Sequence, residues 1–406
     1  MKRGGLLSCV AAFAVVLAVV ALMAVGSCSK TERSPSIIKI GILLDLTGPI
    51  GPGGLDLQKG VNLALEKVGG VVAGKKIEYV TEDAASDASV SVDKSKKLVE
   101  TDKVALILGP INGGGGVSVA QYAEKVHVPQ FAPLSATNDA AFHDWAFCPG
   151  GVNLQAGFGP GVYAHDVLGY KTAVTLAADF VPGHDYTASF KTGFEGAGGK
   201  VIQETYYPEG TTNLTPYLTA LKKADVFVFW GTPGDCFAAI PQYREINIKM
   251  PIMQAEDGGV TSSPGMLKNL GKAAAGIVFG TAYLYTADTP GNKEFVDAYQ
   301  KKYNELPGVM SGAGYADMQL IFAALTASGG NVDHDALYKA IKGVSVDTVR
   351  GHLTFPADQG GFGLIANYPV LMGKIGENLG VERIVPPFVD VRVKVENNKI
   401  SPYVAK

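Results

Sequence analysis

The sequence lacks the spacings that usually mark a metal or nucleotide site. Its four cysteines and six histidines form no Cys-x-x-Cys or His-Glu-x-x-His pattern, so no metal centre is predicted. The glycine-rich run GPINGGGG is not followed by Lys-Ser or Lys-Thr, as a phosphate-binding Walker loop is, and it does not have the spacing of a dinucleotide fingerprint. We therefore expect no cofactor.

An excess of basic charge is also missing. Lysine and arginine number 35 against 38 aspartates and glutamates, which gives a formal charge of −3 at pH 7, and no segment concentrates the basic residues. A nucleic-acid partner therefore has no electrostatic basis. Hydrophobic residues make up 47% of the 406 residues, so the chain has enough apolar surface for two folded domains.

Catalytic patterns are sparse as well. The histidines show neither the spacing of a metal site nor that of a nucleophile elbow; they are His127, His143, His165, His184, His334 and His352. The nearest approach to an acid–base pair is His184 with Asp185, and neighbours of this kind in a loop are usually structural. We therefore predict that the protein is not an enzyme.

The first 27 residues have the order of a secretory signal. A short positive region precedes an apolar run at residues 6–25, and small residues come before Cys28. The ending VGSC resembles a bacterial lipobox, which would make Cys28 the lipidated first residue of the mature protein and residues 28–36 a polar tether. The alternative is an uncleaved membrane anchor, because the apolar run is nearly long enough to span a bilayer. We predict an extracytoplasmic protein that is attached to the membrane through this lipid.

Two cysteines remain in the mature chain, Cys148 and Cys236. An oxidising compartment would allow them to form a disulfide. They are also compatible with two separate buried thiols, and the sequence leaves both alternatives open.

Short apolar runs alternate with amphipathic segments after the leader, which predicts a doubly wound α/β fold. Strands are predicted at residues 37–44, 77–81, 104–108 and 128–133, and in a second series at 172–177, 201–207, 225–230, 251–254 and 277–281. Helical spacing lies between them, and again at residues 292–303, 315–328 and 334–342. An extended segment is predicted at 349–355, and short antiparallel strands at 362–404.

The most informative stretch is KVALILGPINGGGGVSVAQYAEKVHVPQFAPLSATN, residues 103–138. It predicts a strand, a glycine-rich loop at 113–116, a helix, a second strand and a polar loop at 135–138. Both loops follow strands, so both emerge at the edge of a parallel sheet where ligands bind. Backbone N–H groups bared by glycine beside a helix N-terminus favour an anion such as a carboxylate. The alternative is a close-packed turn without a ligand.

Several segments together resemble the leucine/isoleucine/valine-binding group of type I periplasmic solute-binding proteins of ABC importers. They are IKIGILLDLTGPIGPGG with the following QKGVNLALEKV, then VALILGP, VPQFAPLSATN, ADVFVFWGTPGD and GYADMQLIFAAL. The resemblance implies two Rossmann-like α/β lobes joined by a three-strand hinge, one from residues 37–147 and 283–355, the other from 148–282 and 356–406. A solute would bind between the lobes, and hinge closure would bury it. The implied partner is an ABC permease in the membrane.

The resemblance also implies the ligand contacts. The carboxylate of the solute would bind to backbone donors of the glycine loop at 113–116, which here replaces a serine-bearing loop of the family. It would also contact the second polar loop at 135–138. The ammonium group would meet the acidic residue that Glu256 matches. The full predicted set is Asn112, Gly113, Gly114, Gly115, Ser135, Ala136, Thr137, Phe180, Trp230, Glu256, Asp257 and Tyr283.

Several of these side chains have a plainer alternative. Trp230 is compatible with core packing, and Glu256 with a solvated loop carboxylate or a helix cap. Ser135 and Thr137 are compatible with capping of the next helix, because serine and threonine favour that role. The sequence does not decide between these alternatives and ligand contact.

The predicted contacts limit the solute without identifying it. Glu256 favours a cationic amine, because a buried ammonium needs a paired charge. The missing serines and the nearby aromatic residues favour a more apolar solute. We expect a small carboxylate such as a branched-chain or other hydrophobic amino acid; the alternative is an aromatic or aliphatic carboxylic acid without an amine. A ligand-sensing module for a membrane receptor fits the same sequence.

Overall fold

The computed structural model describes residues 37–134, 136–355, 364–366, 368–396 and 399–404. Two large sheets organise this part of the chain, and we call the parts built on them the first lobe and the second lobe. The predicted signal peptide, Cys28 and the predicted tether lie outside the described residues. Within the described part, no helix is both long and apolar enough to cross a bilayer.

Strands and helices alternate along most of the described chain. The strands are β1 Ile37–Leu44, β2 Val71–Val72, β3 Lys75–Asp83, β4 Ile107–Leu108, β5 Gln130–Phe131, β6 Ala146–Cys148, β7 Thr172–Ala178, β8 Lys200–Tyr207, β9 Val226–Trp230, β10 Ile252–Gln254, β11 Val278–Thr281, β12 Ser345–Thr348, β13 Gly351–Thr354, β14 Leu364–Ile365, β15 Tyr368–Ile375, β16 Val381–Glu396 and β17 Lys399–Val404. The helices are α1 Gly51–Lys67, α2 Ala88–Lys96, α3 Gly113–Val126, α4 Asn153–Asp166, α5 Val181–Gly196, α6 Thr215–Thr219, α7 Pro233–Glu245, α8 Pro264–Leu270, α9 Asn292–Tyr303, α10 Val309–Ala327 and α11 His334–Lys342.

The first lobe is a sheet of seven strands in the order β14-β6-β5-β4-β1-β3-β2, in which β2 pairs antiparallel with β3 and the other described pairs are parallel. β1 lies at its centre, and the last five residues of its sequence IIKIGILL are all buried. Helix α1 presents Leu57, Val61 and Ala64 to this core. Gly60 allows helix α10 to approach closely, because a Cβ at Gly60 would lie 2.9 Å from the backbone nitrogen of Tyr315.

The second lobe is a sheet of eight strands in the order β17-β16-β15-β11-β10-β9-β7-β8. Its parallel part contains β9, whose sequence VFVFW is buried at every position, as expected for a strand covered on both faces. β15, β16 and β17 extend the sheet in antiparallel order. This confirms the prediction that the end of the chain forms antiparallel strands.

Helices α9, α10 and α11 return to the first lobe. One continuous apolar core contains Ile40 of β1, Leu57 of α1, Phe295 of α9 and Leu320 of α10. The chain therefore leaves the first lobe and comes back, as the resemblance implied. The exact lobe boundaries stay a prediction, and the sheets follow them except at Cys148, which belongs to β6 of the first sheet, and at Leu364–Ile365, which pairs with β6.

Several local predictions differ from the structure, and the strand predicted at 128–133 is reduced to β5, Gln130–Phe131. The segment 113–116 is the first turn of α3 and not a loop, because Asn112 caps the helix there. The strand predicted at 104–108 is reduced to β4, Ile107–Leu108. Helix α10 begins at Val309, earlier than predicted.

The two mature cysteines lie in different parts of the fold. Cys148 belongs to β6 of the first sheet, and Cys236 lies in α7 beside the second sheet. Both are buried and free, so the alternative of two separate thiols holds. Burial raises the pKa of the Cys148 thiol to about 12, which keeps it protonated and inert.

Candidate functional site

A cavity of about 120 Å³ lies between the two lobes. An apolar cavity of about 150 Å³ accepts one benzene-sized molecule, so this space suits a single ring or one branched side chain. The first lobe contributes Ile50, Pro110, Ile111, Asn112, Gly113, Gly116, Ala132, Pro133, Leu134, Ala136, Thr137, Ala140 and Met310 to the wall. The second lobe contributes Asn153, Phe180, Pro182, Tyr186, Trp230, Gly231, Thr232, Pro233, Glu256 and Gly258.

The N-terminus of α3 reaches the cavity and is held there by Asp45. The fully buried carboxylate of Asp45 accepts hydrogen bonds from the backbone N–H groups of Ile111 and Asn112, each at 2.9 Å, and from the Asn112 side chain at 2.7 Å. Asn112 Oδ1 in turn accepts the N–H of Gly115 at 2.6 Å. Within the described residues, the N–H groups of Gly113 and Gly114 have no partner. The helix therefore offers donors and a partial positive charge at this end.

The second polar loop also lines the cavity. The Ala136 carbonyl accepts the N–H of Asn153 at 2.9 Å, which ties the loop to the start of α4. Thr137 Oγ1 accepts the N–H of Ala140 at 3.4 Å, a long bond that leaves the hydroxyl proton available for a ligand. Thr137 therefore both caps the following turn and faces the cavity, and Ser135 lies outside the described residues.

Three aromatic rings form the opposite wall. The rings of Trp230 and Tyr186 stack at 4.9 Å between centroids with 24° between their planes, and Phe180 lies 5.6 Å from Trp230. Trp230 is only 8% exposed. It packs against its neighbours, as the core-packing alternative expects, and lines the cavity at the same time, whereas its contact with a ligand stays a prediction.

Glu256 supplies a carboxyl group to the described cavity wall. Its Oε2 accepts the indole N–H of Trp230 at 3.1 Å and the backbone N–H of Gly258 at 3.0 Å. Burial, with the adjacent carboxylate of Asp257, raises the pKa of Glu256 well above its ordinary value. No lysine, arginine or histidine is among the described residues of the wall. A ligand cation would therefore be the natural partner of this carboxyl group.

Four predicted site residues do not line the cavity. Gly115 faces the interior of the first lobe, where a Cβ would lie 2.5 Å from Ser91 Oγ, and Gly114 faces α2. Asp257 is fully buried, and its carboxylate accepts the backbone N–H groups that follow it, which shapes the loop. Tyr283 is also fully buried and packs against Phe295 in the core of the first lobe, with 6.0 Å between ring centroids. Their positions do not support the predicted ligand contact.

Other wall residues were not predicted from the sequence. Tyr186 lay in an ordinary predicted helix and Ile50 in a loop rich in turn residues, whereas Asn153 and Met310 lay just before predicted helices. The sequence does contain one signal for the position of the site that was not used. This signal is Asp45, an acidic residue directly after β1 in the segment DLTGPIGPGG. A carboxylate at the end of a central parallel strand lies at the ligand edge of the sheet.

His184 and Asp185 do not form an acid–base pair. The His184 ring stacks on Tyr206 at 4.1 Å, and its Nε2 lies 2.8 Å from Asp179 Oδ1 at the surface. Asp185 instead accepts a hydrogen bond from the Asn153 side chain at 3.1 Å. The one pair that favoured an enzyme in the sequence is thus divided between two separate contacts, and neither residue lines the cavity.

Known proteins share this architecture. The model of the family described as periplasmic binding protein matches residues 37–370. The Leu/Ile/Val-binding protein homolog 6 of Brucella abortus (strain 2308) is 24% identical over 349 residues, covering 82% of this chain and 89% of that protein.

Two solved structures extend the comparison. A solute binding protein of an ABC transporter from Rhodopseudomonas palustris BisB5, in complex with 3,4-dihydroxy benzoic acid, is 26% identical with a TM-score of 0.76; the match covers 87% of this chain and 95% of that chain. A leucine binding protein from Thermotoga maritima MSB8 has the same TM-score of 0.76 at 22% identity, and covers 85% of this chain and 97% of its own. At that identity, the second likeness concerns the fold alone.

Proposed function

This chain belongs to the periplasmic binding protein family, as a type I member of the Leu/Ile/Val-binding kind, and from this premise we propose that it captures a hydrophobic amino acid between its lobes. Proteins of this type are the solute-binding components of ABC transporters. Capturing a solute requires no reaction by the binding protein itself. The solute would touch both lobes at once, so that its binding favours the closed form.

The pairing of unlike polar groups across one apolar cavity carries the proposal. On the first lobe, the N-terminus of α3 and the Thr137 hydroxyl suit a carboxylate. On the second lobe, Glu256 suits an ammonium group, and the cavity wall has no basic residue in its described part to compete for it. The rings of Trp230 and Tyr186 would cover the apolar side chain. An α-amino acid presents these three features in one small molecule.

A second candidate is an aromatic carboxylate without an amine. The three-ring wall suits a flat ligand, and the Rhodopseudomonas palustris BisB5 protein was solved with 3,4-dihydroxy benzoic acid. In this case Glu256 would stay protonated, since its pKa is raised, and would hydrogen-bond a ligand hydroxyl without a charge. The two candidates therefore require different ionisation states of the same side chain.

The location and partners belong to the same proposal. We infer an extracytoplasmic protein anchored by lipid at Cys28 and working with an ABC permease; the lipobox-like VGSC and the family membership support this. Radiolabelled palmitate should enter the wild-type protein and not Cys28→Ser. Loss of solute uptake in a deletion strain would support import, whereas normal uptake would favour the sensing alternative.

Replacing Glu256 tests the assignment of the solute. Glu256→Gln keeps the shape and removes the charge, so it should weaken L-leucine or L-phenylalanine by about 1.5–3 kcal/mol, roughly 10- to 150-fold in Kd. It should leave 3,4-dihydroxybenzoate nearly unchanged, because a neutral carboxyl and an amide form comparable hydrogen bonds. The measurement is titration calorimetry with the three compounds.

The matched control is Glu209→Gln, which makes the same change at an exposed position outside the cavity wall. This control should not change the affinity for any of the three compounds. Unchanged amino-acid affinity in Glu256→Gln would contradict the ammonium contact. Binding of 3,4-dihydroxybenzoate alone to the wild-type protein would favour the second candidate.

A further inference from the structure

Asn153 brings a buried polar side chain to the cavity wall that the solute contacts proposed above leave unused. It is the first residue of α4, lines the cavity and is only 2% exposed. Its backbone N–H donates to the Ala136 carbonyl at 2.9 Å, and its side-chain Nδ2 donates to Asp185 Oδ2 at 3.1 Å. Within the described residues, the side-chain oxygen Oδ1 receives no hydrogen bond.

Close packing of α4 on α5 fixes the position of this side chain. Gly157 and Gly161 follow Asn153 at spacings of four residues, so all three lie on one face of α4. A Cβ at Gly157 would lie 2.8 Å from the Tyr186 carbonyl oxygen, and a Cβ at Gly161 would overlap the backbone of α5 further along. The two helices therefore meet backbone to backbone, and Asn153 reaches Asp185 at the start of this contact.

Asp185 determines which end of the Asn153 amide is left for the cavity. An ionised carboxylate can only accept hydrogen bonds, so the amide nitrogen must face it and the carbonyl oxygen must point away. Burial raises the pKa of Asp185, and the hydrogen bond from Asn153 opposes that shift because it stabilises the charged form. Asn153 lines the cavity and Asp185 does not, so the cavity gains an acceptor and no donor from this pair.

We propose that Asn153 Oδ1 accepts a hydrogen bond from the α-substituent of the bound solute, and that Asp185 is a positioning residue that holds the amide in this orientation. This assignment rests on the proposed function, because it concerns the same cavity and the same solute. The bond to the Ala136 carbonyl places Asn153 beside the polar loop that suits the carboxylate. A donor that reaches Asn153 must therefore lie close to the carboxylate, as an α-amine or an α-hydroxyl group does.

Asn153 and Glu256 thus select different properties of the solute. Glu256 favours positive charge, whereas a neutral carbonyl oxygen requires only a hydrogen-bond donor. The substrate class is then α-amino acids first and α-hydroxy acids second, with plain carboxylic acids disfavoured. A plain acid leaves the buried amide oxygen without a partner, which costs affinity.

Three solutes with one carbon skeleton separate these properties: L-leucine, (S)-2-hydroxy-4-methylpentanoate and 4-methylpentanoate. Titration calorimetry on the full-length protein gives each Kd, and the weaker acids are measured by competition against L-leucine. In the wild-type protein Kd should rise in the order given. A wild-type protein that bound 4-methylpentanoate as tightly as the hydroxy acid would overturn the proposal.

Asn153→Leu keeps the approximate shape and the backbone N–H while it removes the acceptor. Relative to 4-methylpentanoate, the preference for the hydroxy acid should fall roughly fivefold and the preference for L-leucine about tenfold or more. An equal loss of affinity for all three compounds would overturn the proposal, because that is the result of a purely structural role.

The matched control is Asn292→Leu. Asn292 is also buried, at 1% exposure, and its side-chain nitrogen donates to the carbonyl groups of Leu284 and Ala287 outside the cavity wall. This variant should lower the stability in urea unfolding and leave the preferences among the three solutes unchanged. A change of preference as large as that of Asn153→Leu would contradict a specific role of Asn153.

Two substitutions of Asp185 test the orientation without touching the cavity wall. Asp185→Leu removes the acceptor that holds the amide, so the preference for the two substituted acids should fall. Asp185→Asn retains one acceptor oxygen and should keep more of that preference than Asp185→Leu does. Equal preferences in the two variants would refute the positioning role.

The same measurements separate failure of the inference from failure of the proposed function. If Asn153→Leu does not fold, the two Asp185 variants decide the question by the preferences that they retain. If the wild-type protein binds none of the three solutes, the proposed function fails and the inference fails with it. Wild-type binding of L-leucine with unchanged preferences in Asn153→Leu and Asp185→Leu would refute the inference alone.

Discussion

Gly113 offers the sharpest test of how closely the lobes meet. It is the first residue of α3 and lies on the cavity wall. A Cβ at this position would lie 2.8 Å from Thr137 Cγ2 and 3.2 Å from Cγ of Pro182, which belongs to the other lobe. Contacts below 3.0 Å are not tolerated between carbon atoms, so Gly113→Ala must displace Thr137 within the first lobe, and it also crowds Pro182 while the lobes are together.

The structure sets the size of the effect. Overpacking by one methyl group costs about 1–3 kcal/mol, and the contact with Pro182 exists only while the lobes are together. The displacement of Thr137 disturbs a proposed ligand contact and the crowding of Pro182 penalises the closed form, so Kd should rise roughly 5- to 150-fold. The free protein should lose less than this range in stability, since only the contact with Thr137 must be relieved there and alanine is the better helix former by up to about 1 kcal/mol.

Titration calorimetry and urea unfolding measure the two effects separately. Gly114→Ala is the matched control, because a Cβ there would meet only Ala88 Cβ at 3.6 Å, an ordinary contact, and the gain in helix propensity is similar. Gly114→Ala should therefore bind as the wild-type protein does. If Gly113→Ala also bound like the wild type, the close approach of α3 to α5 could not be part of ligand capture.

Two further predictions concern stability and are checked by urea unfolding. Gly60→Ala should destabilise the protein by about 3 kcal/mol or more, because the new methyl group would overlap the backbone of α10. The control Gly196→Ala, with no atom within 4 Å of its Cβ, should leave the stability unchanged. Equal stability of the two variants would contradict the packing argument. Arg350→Met should cost about 3–5 kcal/mol, because it leaves the fully buried Asp317 carboxylate without the guanidinium whose Nη1 lies 3.9 Å away, whereas Arg350→Met with Asp317→Leu should cost clearly less. A double variant as unstable as the single one would contradict that reasoning.

The sequence predicted the fold well because its signals are local and strong. β9 is a continuous apolar run, and β1 is one from Ile40 onward; such runs are typical of strands that are covered on both faces. The return of α9 and α10 to the first lobe came from the resemblance and not from periodicity. No local pattern tells a helix which of two sheets will cover it.

The site was predicted in part, for reasons that lie in single residues. Glu256 and Asp257 are adjacent acids, and the sequence cannot tell which carboxylate turns to the cavity and which one bonds its own loop. Gly113 and Gly115 are likewise equivalent in sequence, yet the cap formed by Asn112 turns one toward the cavity and the other into the lobe. Tyr283 was assigned as one of the aromatic residues near the site, but its ring fills the space beside Gly312 in the core.

The pH dependence of L-leucine binding tests the central claim most directly. The pKa of Glu256 is raised in the folded protein, so the carboxyl is neutral below that value and must lose its proton to pair with an ammonium group. As the pH is raised above the ordinary range of a glutamate pKa, affinity should therefore increase, by at most about tenfold per unit, and level off once Glu256 is ionised. Glu256→Gln should lack this slope. Wild-type affinity that stayed constant or fell over the same range would contradict capture of an amino acid by Glu256.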